Sequence, residues 1–96
     1  MRSREDTNAL LKHAVVANGT EAQWEQVVEE CAELIVAIKH TKRGKATVHD
    51  LLEEIADVII MSQQARLMAG PSLVDAVVEA KLDRLEKQLG EKGAPK

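Results

Sequence analysis

Two acidic clusters stand twenty residues apart in this 96-residue chain: Glu29-Glu30-Cys31-Ala32-Glu33 and Glu53-Glu54-Ile55-Ala56-Asp57. On a helix, residues three apart share a face, so Glu30 pairs with Glu33 and Glu54 with Asp57, with Met61 continuing the second stripe. A solvated helix normally sets Lys or Arg three or four residues from its acids. Glu30 has Gln26, Val27, Glu33 and Leu34 at those offsets, and Asp57 has Glu53, Glu54, Ile60 and Met61. No cation stands at those offsets from Glu33 or Glu54 either, whereas Asp83 is followed four residues on by Lys87. Two carboxylates about 5.5 Å apart repel by roughly 3 kcal/mol at an effective dielectric near 20. If the two faces meet, the repulsion compounds, and either a cation or protons must fill the space. An all-oxygen donor set suits a hard ion, Mg²⁺ or Mn²⁺. A di-iron carboxylate bundle requires Glu three residues before His, and none of His13, His40 or His49 has one.

Glu29-Glu30-Cys31-Ala32-Glu33, a spacer, and Glu54-Ile55-Ala56-Asp57 resemble the EExxE and ExxD motifs of the MazG-like all-α NTP pyrophosphohydrolase superfamily. The resemblance covers the second and third helices and reaches more loosely into the fourth. It implies a four-helix bundle and hydrolysis of a (deoxy)nucleoside triphosphate between its α and β phosphates, giving a monophosphate and pyrophosphate. Carried over by position, Glu30, Glu33, Glu54 and Asp57 are the Mg²⁺ ligands, with Mn²⁺ an alternative. Glu29 takes the position that orients or deprotonates the attacking water. Relatives often carry an N-x-K-x-x-R-R pattern after ExxD. Here Lys81 and Arg84 fit it as phosphate contacts, while Glu79 stands in place of the Asn and Leu85 in place of the second Arg. Two other readings are a phosphoribosyl-ATP pyrophosphatase and a helical dimerisation or regulatory module without catalysis.

The elements that must position these acids are helices, because no stretch alternates apolar and polar residues long enough for a strand. A first helix over about 4–17 ends at Asn18-Gly19. Thr20 with Gln23 has the form of a capping box opening a second helix over 20–42. Lys39, His40 and Lys42 in its last turn, with Gly44 beyond, make the expected stop. Thr47 with Asp50 opens a third helix over 47–69, which Gly70-Pro71 breaks. Ser72 with Asp75 opens a fourth over 72–89. Residues 1–90 form one domain, and 91–96 are expected to be a loose tail. Trp24, Val28, Cys31, Ile35 and Ile38 form an apolar stripe on the second helix, and Val58-Ile59-Ile60-Met61 make the third apolar nearly all round. Helices of that kind are buried on most sides. The central pair should therefore be covered by the outer helices or by a second copy, as a dimer or dimer of dimers.

Composition narrows the classes further. One Trp is the sole aromatic residue, so the core is aliphatic. A net charge of −3 gives no electrostatic case for nucleic acid or an anionic membrane. No run approaches the ~20 apolar residues of a membrane span, and no leader is visible. The single Cys31 forms no internal disulfide, which suits a reducing cytoplasm, and it reads as a small buried hydrophobe. In the basic run from Lys39 to Lys45, Lys39 is the best candidate for phosphate contact. Trp24 on its apolar stripe points to a core or subunit-interface role.

Overall fold

Four helices follow one another in the computed structural model, which describes residues 1–91: α1 (Arg4–Asn18), α2 (Thr20–Lys42), α3 (Val48–Ala69) and α4 (Pro71–Glu91). No strand occurs among the described residues. The all-α architecture and each helix agree with the sequence reading to within two residues. Glu91 continues α4, and the rest of the expected tail lies outside the described residues.

Short polar side chains start two of the helices. Ser3 accepts the Asp6 N–H at 3.0 Å to open α1. Thr47 and Asp50 form a reciprocal capping box at α3, with bonds of 3.1 and 2.9 Å. The other two starts differ from expectation. Gly19, at φ +90°, separates α1 from α2 as a single residue, so Thr20 lies inside α2 and no side chain caps it. Gly70, at φ +121°, ends α3, and Pro71 is already the first residue of α4. Proline suits that position because its missing N–H would be unpaired there anyway. The side chains read as caps serve tertiary bonds instead: Gln23 turns inward to α3, and Asp75 pairs with Arg66.

The α2–α3 hairpin is the centre of the fold, closed by a loop over 43–47. α1 packs on both of its helices, and α4 touches α3 alone. Arg66 holds α4 through a two-pronged bond to Asp75, Nε to Oδ1 and Nη2 to Oδ2, each at 2.7 Å. Along the hairpin, Gln23 Nε2 donates to Gln64 Oε1, and both side chains are buried. That contact sets an antiparallel register. Seven residues on from Gln23, Glu30 stands opposite Asp57; ten residues on, Glu33 stands opposite Glu54.

Burial overturns part of the sequence reading: the outer helices do not cover the central pair, and Cys31 is exposed. Leu11, Ala37 and Met61 are the buried apolar side chains among the described residues. The α2 stripe is open: Val28 is 63 % exposed and Ile35 62 %, and Trp24, Cys31 and Ile38 are exposed too. Ile59 and Ile60 of α3 are exposed as well. Each helix of a hairpin presents one face to its partner, and the outer helices are too few and too offset to cover the remainder. The Cα radius of gyration, 16.5 Å, exceeds the about 12.5 Å expected of a compact chain this long.

Replacing Gln64 with Ala leaves the Gln23 amide buried without a partner, which should lower unfolding stability by about 1–3 kcal/mol. Gln23→Leu together with Gln64→Leu removes both amides and should recover much of that loss. Urea melts of the single and double variants check this; additive losses would deny the coupling.

Candidate metal centre

Glu30 and Glu33 come from successive turns of α2, and Glu54 and Asp57 from successive turns of α3. The register set by Gln23 and Gln64 brings the two pairs face to face. One carboxylate oxygen from each of Glu30, Glu33 and Glu54 lies within 4.8 Å of the others. Asp57 does not join that group of three, but it stands close enough to Glu30 to act on its ionisation. Glu29, one residue back and turned about 100° around α2, is exposed and outside the cluster.

No ion pair joins any of these acids to a cation among the described residues. Glu30 Oε1 accepts from Gln26 Nε2 at 2.9 Å, a bond one helical turn long that the sequence spacing could have suggested. The second oxygen of Glu30 and one oxygen of Glu54, both Oε2, are buried without any hydrogen-bond partner. The electrostatic result follows. Loss of water raises the Glu30 carboxyl above its ordinary value; Glu33 and Asp57 push it further, and the Gln26 amide pulls it partly back. Glu54 is raised by loss of water, then by Glu33, Asp57 and Glu30.

Three converging carboxylates, two of them with an orphaned buried oxygen, and a fourth beside them form an all-oxygen donor set of the kind a hard divalent cation takes. Such an ion takes oxygen ligands and supplies the positive charge that no side chain provides. Glu30, Glu33 and Glu54 would hold it most directly, with Asp57 at the edge.

Beside the cluster a cavity of about 460 Å³ opens toward the α2–α3 loop. Glu33 and Glu54 form one side, and Ala32, Val36, Ala37 and Ala46 an apolar wall. His40, Asp50 and Glu53 add polar groups. His40 lies seven residues, two turns, after Glu33, a same-face spacing visible in the sequence; the exposed Glu53 lines the cavity as well. Asp50 is committed to the Thr47 cap, whose N–H holds its carboxyl below the ordinary value. Glu53 lies 3.4 Å from His49.

The cations expected at the phosphates stand elsewhere. Lys39 borders on His40 but does not line the cavity. Lys81 and Arg84 are exposed on α4, which makes no contact with α2. Within one chain the acids are therefore assembled without them. The chain matches no family model, no curated protein and no solved structure.

The raised carboxyls give a pH signature. A group whose folded pKa lies above its unfolded value of 4.5 is favoured by the fold when protonated. Metal-free protein should therefore lose stability as pH rises from 4.5 through the raised range of Glu30 and Glu54. Asp50 and Asp75, whose carboxyls are lowered from 3.8, titrate below that window. Thermal melts in EDTA check this, and Glu30→Gln with Glu54→Gln should flatten the decline.

Proposed function

We propose that the chain is a Mg²⁺-dependent nucleoside triphosphate pyrophosphohydrolase, acting on (deoxy)nucleotides in pool control. The observation that carries the reading is the meeting of two carboxylate pairs across one helical seam, with two buried oxygens unpartnered and no cation beside them. The resemblance of Glu29–Glu33 and Glu54–Asp57 to EExxE and ExxD supplies the reaction class.

Bound Mg²⁺ would neutralise the carboxylates, polarise phosphate oxygens and lower the pKa of a coordinated water. The chain's own residues supply the rest. Glu30, Glu33 and Glu54 would hold the ion, because they project from two helices held in register. Asp57 keeps the local field negative at Glu30. Glu29, exposed and turned about 100° from Glu30 around α2, is assigned on the resemblance alone to take the proton of the water that attacks the α-phosphorus. The new bond joins that oxygen to the α-phosphorus; the bond from the α-phosphorus to the bridging oxygen breaks, and pyrophosphate leaves with the electron pair. The cavity beside Glu33 and Glu54 has room for the nucleoside end, with small alanines along its wall.

A second copy completes this reading. The accessible surface of 7549 Å² exceeds by about 2,100 Å² the value expected for a folded chain of 10.5 kDa. Over two chains that excess falls within the roughly 2,000–5,000 Å² buried by obligate homodimers. The open faces of Val28, Ile35, Ile59 and Ile60 are the surface a second chain would cover, and it could carry cations such as Lys81 and Arg84 toward the acids. The same apolar faces favour the second reading, a helical dimerisation module without catalysis. Among the described residues no helix is long and apolar enough to cross a membrane.

Incubated with Mg²⁺ and each dNTP, the protein should release monophosphate and pyrophosphate. Diphosphate with orthophosphate would contradict the assigned bond. Glu54→Gln should cut turnover at least a hundredfold while retaining the helical circular-dichroism spectrum. Millimolar Mg²⁺ should raise the melting temperature, because a ligand bound only by the native state stabilises it; no change would favour the non-catalytic module. Light scattering should give a mass of two or four chains at micromolar concentration, and a monomer would refute assembly.

A further inference from the structure

A second cavity, of about 610 Å³, opens between the start of α1, the end of α3 and the start of α4. It shares no lining residue with the cavity at the acids. On α3 its nearer wall residue, Gln63, stands about 9 Å along the axis from Asp57, at six residues of helical rise. Three arginines line it, Arg2, Arg4 and Arg66, the first two exposed, against two acids, Asp75 and Glu79. Its walls thus carry an excess of positive charge on a chain whose net charge is −3.

The arginines differ in how far they are committed. Arg66 is engaged through two nitrogens by Asp75. Arg4 lies close enough to Asp75 to help lower its carboxyl but makes no ion pair, and Arg2 makes none with any described residue. Thr7, Asn8 and Gln63 also line the cavity and bring a hydroxyl and two amides. Val74 and Val78 give one apolar stretch of wall.

We infer that this cavity binds a small phosphorylated anion, its phosphate held by Arg2 and Arg4 and its organic part lying along Val74 and Val78. Guanidinium forks match the oxygens of a phosphate in number and direction, and each such bond is charge-assisted. The volume falls in the range of small-molecule sites and exceeds what orthophosphate alone would fill. Arg66 and Asp75 line the cavity already paired with each other. The site is independent of the proposed hydrolysis, because it uses none of the acids and requires no divalent ion.

The test is an amide NMR titration in EDTA at constant ionic strength, with orthophosphate and ribose 5-phosphate as probes and sodium chloride as control. Wild-type protein should show saturable shifts at Thr7, Asn8 and Gln63, with ribose 5-phosphate also moving Val74 and Val78. The double variant Arg2→Gln, Arg4→Gln should weaken both probes at least tenfold while keeping its dispersed spectrum, as neither arginine holds an ion pair. Glu54→Gln should bind both probes as wild type does, which separates this site from the acids. Shifts that do not saturate, that chloride reproduces, or that persist at equal affinity in the double variant would overturn the assignment. Shifts from orthophosphate without any at Val74 or Val78 from the sugar phosphate would overturn the organic half of it.

Discussion

The antiparallel register of α2 against α3 is the constraint on which the rest of the molecule depends. Gln23 and Gln64 meet near one end of the hairpin, and both are buried. An amide taken out of water is tolerated only with its partner in place, so sliding either helix by a turn would orphan both groups. That same register places Glu30 against Asp57 and Glu33 against Glu54. A neutral, hydrogen-bonded contact at one end of the seam thus holds a charged, unsatisfied stretch near its middle.

The charged stretch works against the fold. Buried carboxylate oxygens at Glu30 and Glu54 have lost water without gaining donors, and their neighbours are acids. Structures seldom retain such an arrangement for stability, because a packed apolar pair would serve better. Its persistence in a chain with only three buried apolar side chains among the described residues is the physical reason to read it as a site. Protonation relieves part of that repulsion, which is why the Glu30 and Glu54 carboxyls lie above their ordinary value.

Incomplete burial belongs to the same picture. A hairpin of two long helices offers more apolar surface than α1 and the start of α4 can cover. Valines and isoleucines therefore remain open on both central helices. A chain of this size is marginal alone, and these faces are where added burial would do most.

Helix number, type and limits were legible in the sequence, because caps, glycines and the 3.6-residue period are local signals that act within a turn or two. Ser3 was passed over as a cap, and Thr20 and Ser72 were misjudged, since a side chain that could cap can also be drawn into a tertiary bond or overtaken by a glycine turn. The acids were legible as two pairs lacking cations, again from spacing along single helices. That the pairs face each other, that Glu30 and Glu54 each keep an unpartnered oxygen and that His40 lines the adjoining cavity depend on how α2 lies against α3. Likewise the open state of Val28, Ile35 and Ile59, and the gathering of Arg2, Arg4 and Arg66, come from packing between elements distant in the chain. Periodicity determines which residues share a face of a helix; only the tertiary contact decides what that face meets.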